Sequence, residues 1–367
     1  MNDLNKDLLE LIISNNEYYY NIKKILLISK VFSIDIITYL NLFACNISDF
    51  SFINRFTNLK YLNLSYTNIT DISCINNLRN LVMLNIKYCY DITELTYSHN
   101  NLEILNIGYT NISNLHCLIN YPKLKCLKLN ECESITNFSN VFNLKYLETL
   151  NLYDTCISNL EDIYKLNKIK KLNLNWCIII TDFSYLNNLH TLEILNVSST
   201  KISSLELLIN LRELNLESCY DLLNFEFLLN CTKLEILNLN YTNIPDLYYL
   251  TNLNKLRILH LYYCLHILHY NTIKNLINLK TLDLADATIV DITGITLDVI
   301  DLNLNSCKKI ECFEHLYYLN RLEYLYLSDT KIMDISILPT TLLILDLSFC
   351  EDIIDFSHIF NLIHLIV

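Results

Sequence analysis

The stretch LHLYYCLHILHYN sets His260, Cys264, His266 and His269 within ten residues. On spacing alone these four side chains could ligate zinc. Fourteen cysteines in the chain raise two other chemistries, disulfides and thiol redox. Neither survives a look at where the cysteines recur. From Leu59 onward the chain repeats LxxLxLxx followed by one small residue. That ninth residue runs Thr67, Cys89, Thr110, Cys132, Thr155, Cys177, Thr200, Cys219, Thr242, Cys264, Ala287, Cys307, Thr330, Cys350. Cys264 is therefore one rung of a regular column expected to point inward. His260 lies in a column expected to face solvent, so the four residues diverge and no metal site is expected.

A leucine pattern that recurs every 19 to 23 residues marks a solenoid, in which each repeat closes its core only against its neighbours. The repeats begin at Leu59, Leu81, Leu102, Leu124, Leu147, Ile169, Leu192, Leu211, Leu234, Leu256, Leu279, Val299, Leu322 and Leu342. An earlier coil is expected from Ile37, Leu40, Leu42, Cys45 and Ile47. Positions one, four and six should form the core. Repeats this short leave room for a strand and a 3₁₀ or irregular return, not for a full helix. Cysteines two coils apart would stand roughly 10 Å from one another at about 4.8 Å per strand, beyond the roughly 7 Å a disulfide can bridge. Reduced, buried thiols follow, as does a cytoplasmic location.

Alternation of Thr and Cys implies that the unit of duplication was a pair of repeats. The second position supports this, running Glu103, Lys125, Glu148, Lys170, Glu193, Arg212, Glu235, Arg257. Neighbouring strands of a parallel sheet would bring these charges side by side as a register device. The fifth position is Asn in nine of fourteen repeats, which predicts an amide ladder along the sheet. After Thr the next apolar residue comes two positions on, and after Cys usually three, so the two repeat types should leave the strand differently.

Leu, Thr, Cys and Asn columns build the frame, so function should lie in what varies between them. The eighth position carries Tyr66, Tyr88 and Tyr109, then Trp176, then Tyr241, Tyr263 and Phe349. Two aromatic strips are expected along the edge of the concave sheet, extended by Tyr153 and Tyr262 at position seven. Apolar third positions, including Met83, Ile104, Ile194, Ile236, Ile258 and Ile344, add to that surface. Aromatic and apolar side chains facing water are the usual material of interface hot spots. A protein ligand on the concave face is the expected partner.

Charge and composition exclude other classes. Lys and Arg number 27 against 39 Asp and Glu, a net charge of −12, so the electrostatic footprint of a direct nucleic-acid binder is missing. Two isolated glycines, Gly108 and Gly294, cannot build a phosphate cradle. No stretch approaches the roughly 18 apolar residues of a membrane span. The opening MNDLNKDLLELIISNNEYYY lacks the basic start and apolar run of a signal peptide. No cofactor and no catalysis are expected.

These residues resemble the leucine-rich-repeat family. The short Thr/Cys repeats and AT-biased composition are similar to multigene families of large DNA viruses or AT-rich protists. The resemblance implies a right-handed α/β solenoid with a parallel sheet on its concave face. Residues 1–36 do not follow the repeat and are expected to form a short helical cap before the solenoid of 37–367. They also resemble a degenerate F-box. Leu4, Leu8, Leu9, Leu11 and Ile12 match its helical opening, and Ile28, Ser29, Lys30 and Phe32 its ending. Asn5 stands where that pattern has proline, and Asn15–Asn21 is an insertion. The resemblance implies the alternative of a substrate receptor for a cullin-type ubiquitin ligase, with Leu4, Leu8, Leu9, Ile28 and Phe32 meeting a Skp1-type adaptor. At the other end, Leu362-Ile363-His364-Leu365-Ile366-Val367 stops inside a coil without a polar cap, which predicts self-association through that edge.

Overall fold

A computed structural model describes residues 37–358 of the chain, apart from 96–98, 207 and 297. It divides into two compact units, Met1–Ile179 and Ile180–Val367. In the first, seven short parallel strands run in chain order from β1 (Tyr39–Asn41) to β7 (Lys171–Asn173). In the second, eight run from β8 (Ile194–Asn196) through β10 (Ile236–Asn238) to β15 (Ile344–Asp346). β1 is the early coil read from Ile37, Leu40 and Leu42.

Each strand is three residues long and occupies repeat positions three to five. Its middle residue is leucine in all fifteen strands and is buried in every one. Strand alternation then turns positions three and five to the open face of the sheet. The return path is made of 3₁₀ turns such as Glu161–Lys165 and Ser184–Asn188, each of which buries one residue, Ile163 and Leu186. Each coil thus closes with apolar residues from both sides.

The Thr/Cys alternation has a geometric cause. Thr67 donates its hydroxyl to the Leu64 carbonyl at 2.7 Å, and Cys89 of the next coil donates its thiol to the same oxygen at 3.0 Å. Thr110 and Cys132 meet in the same way on Ile107, Thr155 and Cys177 on Leu152, and Thr242 and Cys264 on Leu239. One carbonyl serves two coils, so the repeats are locked in pairs. A thiol must be protonated to donate, and burial pushes Cys177 and Cys219 up to about 11. The two coil types also exit differently, as expected. After Cys, an extra turn closes from Ile92 to Cys89 at 3.2 Å and from Ile135 to Cys132 at 3.2 Å.

One expectation about the frame is corrected. Asparagines at position five do not chiefly form an amide ladder. All nine accept from the backbone N–H two residues on, at 2.9–3.2 Å, and so cap the strand exit. Asn63 also donates to Asn41 at 2.9 Å, a single rung of the expected ladder. A turn needs only an acceptor, which is why Asp283 and Asp346 replace Asn, accepting at 3.1 and 2.9 Å. Where His260 or Tyr326 removes the acceptor, Asn240 or Asn305 of the preceding coil supplies it, at 2.8 and 2.7 Å. The charged second column pairs across neighbouring strands as expected, with Glu103–Lys125 at 2.8 Å, Glu148–Lys170 at 2.9 Å and Arg212–Glu235 at 2.7 Å. All are exposed and solvent-screened, so they set register more than they add stability.

Candidate recognition surface

Position eight, where the aromatic residues recur, is left-handed in every coil, with φ between 50° and 62° from Ala44 to Phe349. None of the fifteen is glycine. A left-handed backbone costs an L-residue roughly 1–2 kcal/mol. Inter-coil hydrogen bonds offset it, such as Tyr66 N–H to Lys87 at 2.9 Å and Tyr88 N–H to Gly108 at 3.0 Å. Aromatic rings are thus held where the chain turns out of the strand, at the edge of the open face.

In the first unit the strip forms. Tyr66, Tyr88 and Tyr109 stack with ring centroids 4.0 Å apart in both pairs, and Phe43 meets Tyr66 edge-on at 5.3 Å. Lys87 places its ammonium 4.6 Å from the Tyr88 ring centre and 4.9 Å from that of Tyr109. The three hydroxyls are joined in a line that ends on Glu131, to which Tyr109 donates. Hydrogen bonding to Tyr88 pushes the Tyr66 hydroxyl up to about 12, and Glu131 holds that of Tyr109 higher still. Tyr88 is held below its ordinary value by the hydroxyls of Tyr109 and Tyr66 and by Lys87. Such a row is preorganised, because the rings are tied at both face and tip.

Beside it, Tyr39, Tyr61, Met83 and Ile104 occupy position three of four successive strands in direct register. Tyr39 and Tyr61 are 42% and 40% exposed. Sequence reasoning missed both, and Phe43 and Lys87 as well, because their register, ring and cation contacts are made with residues of the neighbouring coil or of an adjacent column. Tyr153 is half-buried and shares no ring contact with the stack among the described residues. Trp176 is half-exposed and likewise stands apart from the stack, beside exposed Ile178 and Ile179 on the same turn.

The second unit assembles a looser group. Tyr241 and Tyr263 are tilted at 5.4 Å, not stacked, and Tyr262 meets Tyr241 edge-on at 4.9 Å. Ile236 and Ile258 are adjacent, in register and half-buried. His260 and Cys264 part company. His260 Nδ1 lies 3.9 Å from Asp283 on the open face, and Cys264 bonds Leu239 in the core. His269 pairs with Asp246 at 2.8 Å on the turn side. Among the described residues no group of three His, Cys, Asp or Glu could hold a metal ion.

Burial, and then the charge of Asp283, raises the Asp301 carboxyl above its ordinary value. The folded state therefore binds this proton more tightly than the unfolded chain does. Its contribution to stability falls as pH rises from the ordinary carboxylate range through the folded value. Asp301→Asn is expected to raise the thermal midpoint near pH 7 and to lose that advantage in acid, near about pH 3. An unchanged or lower midpoint at neutral pH would contradict this.

Leu4, Leu8, Leu9, Ile28 and Phe32 lie outside the described residues, as does the terminal segment 362–367. Among the described residues no helix is long and apolar enough to cross a membrane.

The repeat and the parallel sheet together form a leucine-rich-repeat solenoid. Among solved structures it is similar to an internalin (InlF) of Listeria monocytogenes, at 26% identity and TM-score 0.61 over 88% of each chain. It is similar also to a leucine-rich-repeat protein of Leptospira interrogans, at 21% identity and TM-score 0.66 over 84% of this chain and 92% of that one. The functional domain of InlJ from Listeria monocytogenes, which includes a cysteine ladder, matches at 20% identity and TM-score 0.58 over 83% and 70%. No family model matches the sequence, and no curated protein matches it.

Proposed function

We propose that this chain is a non-catalytic recognition protein that seats a protein partner on the open sheet face of its first unit. The observation that carries this is the stacked row of Tyr66, Tyr88 and Tyr109, hydrogen-bonded at its tips and flanked by a second apolar column from Tyr39 to Ile104. Apolar area already fixed in place loses little entropy on binding, which is what an interface anchor requires. The absence of a convergent polar site among the expected residues fits recognition rather than turnover. We place it in a reducing, cytoplasmic compartment, where buried cysteines such as those of the Thr/Cys column persist as free thiols.

The test is affinity capture with the full chain, followed by titration of each captured partner against Tyr66→Ala/Tyr88→Ala/Tyr109→Ala and, separately, Trp176→Ala. The triple variant is expected to weaken at least one partner by about tenfold, or about 1.4 kcal/mol. Exposed tyrosines on the turns, Tyr164→Ala and Tyr317→Ala, serve as controls and should change nothing. Unchanged affinity of every partner for the triple variant would reject the reading. The ubiquitin-ligase alternative rests on the F-box resemblance of residues 1–36, carried by Leu4, Leu8, Leu9, Leu11 and Ile12 and by Ile28, Ser29, Lys30 and Phe32. A pull-down of a Skp1-type adaptor with and without residues 1–36 separates the two.

A further inference from the structure

Two apolar columns run along the open face of the first unit with a polar column between them. Tyr39, Tyr61, Met83 and Ile104 hold position three of four successive strands in direct register. Tyr66, Tyr88 and Tyr109 hold position eight in the last three of those coils. Tyr39 and Tyr61 make no ring contact among the described residues, so no other ring covers their faces. Position five lies between the columns. There Asn85 and Asn106 are half-buried and commit their carbonyl oxygens to the strand exit, at 3.1 and 3.2 Å. Their amide Nδ2 groups have no protein acceptor among the described residues. The surface thus offers apolar walls and a floor with free amide donors.

The floor and the coil spacing select among the regular conformations a peptide could bring. An α-helix cannot answer the donors, because its carbonyls are already bonded within the helix. A β-strand turns a side chain to one face every two residues, or roughly 6.7 Å. One coil measures 4.0 Å between the stacked rings. Between strands it measures about 4.8 Å, so two coils span roughly 8 to 10 Å and the strand keeps step with neither one coil nor two. A polyproline II segment repeats every three residues at about 3.1 Å each, roughly 9.3 Å, and keeps step with every second coil. It has no internal hydrogen bonds, so its carbonyls are free to accept from the asparagine amides. The partly positive C–H groups of its proline rings complement the negative face of a tyrosine ring.

We infer that this trough binds a proline-rich, polyproline II segment of a protein partner, running from coil to coil along the sheet. This occupant rests on the recognition reading proposed above and gives it a chemical class. Partner and surface are both preformed, so little conformational entropy is lost when they meet.

The experiment uses the full chain and an end-capped peptide of nine prolines carrying an uncharged dye, read by fluorescence anisotropy. A peptide of equal length with alternating Val and Ser tests for an extended strand. Saturable binding is expected for the proline peptide, with the Val/Ser peptide at least about tenfold weaker. Tyr39→Ala/Tyr61→Ala should weaken the proline peptide by about tenfold. Asn85→Asp/Asn106→Asp keeps the turn acceptor, as Asp283 and Asp346 do, and removes only the amide donors. It should weaken the peptide by about fivefold to tenfold, equally in low and high salt because the peptide is uncharged. The Asp variant keeps the test decisive should the tyrosine variant lose its fold. Tyr164→Ala/Tyr317→Ala, on the return turns, should change nothing. No saturable binding of the proline peptide would overturn the inference. If captured partners are still weakened by Tyr66→Ala/Tyr88→Ala/Tyr109→Ala, the recognition reading stands without it. Equal binding of the Val/Ser peptide, or full affinity in the Asp variant, would also overturn the inference.

Discussion

Leu237→Ala is expected to lower the unfolding free energy by about 3 kcal/mol, within the usual range for a buried leucine. Leu237 is the middle residue of β10, fully buried, with Leu214 and Leu259 directly in register on either side. The cost is large because the site cannot collapse: hydrogen-bonded strands hold its neighbours about 4.8 Å away on both sides. Ile236→Ala, one residue earlier but on the open face, should cost much less, about 0.5–1 kcal/mol. Urea denaturation with the slope held fixed reads both. Similar losses for the two would mean that burial does not alternate along the strand.

Thr242→Val should cost about 1–2 kcal/mol, as a buried hydroxyl that donates at 2.6 Å is exchanged for a methyl. Cys264→Ala should cost less, because a thiol is the weaker donor. Both donate to the Leu239 carbonyl, so removing one lets the other tighten on it. The double variant is therefore expected to lose more than the sum of the singles, by about 0.5 kcal/mol. The protein contains the reciprocal case. Ala287 breaks the column, so that among the described residues Cys307 is the one side-chain donor on the Leu284 carbonyl, at 3.1 Å, beside the Ala287 N–H at 2.9 Å. Ala287→Thr should restore the missing hydroxyl and stabilise by about 0.5–1 kcal/mol. Strict additivity in the cycle, or a destabilised Ala287→Thr, would show that the pair does not share its acceptor.

Both results bear on what a repeat sequence can reveal. Leucines at positions four and six, the early coil at Ile37, the inward Thr/Cys column and the 3₁₀ returns were legible from spacing. Burial in a solenoid follows from position within one coil, and each coil restates it. The aromatic column was legible as a column, but not that Tyr66, Tyr88 and Tyr109 would stack at 4.0 Å while Tyr241 and Tyr263 tilt. Nor could spacing show that asparagine caps its own strand exit instead of joining the next coil's.

The left-handed turn at position eight carried little signal, since glycine and asparagine are absent there and only Asp154, Asp286 and Asp329 are of a type that favours it. Tertiary structure decided it by aligning these N–H groups with carbonyls one coil away, from Ala44 to Asp154 and from Ser199 to Asp329. By itself, then, the sequence determined which side of every coil faces the core, and so the fold. Which outward residues meet was left to the structure, because the partners of Tyr66, Tyr109 and Asp301 lie about one repeat away. Contact across that distance depends on side-chain geometry that no single coil contains.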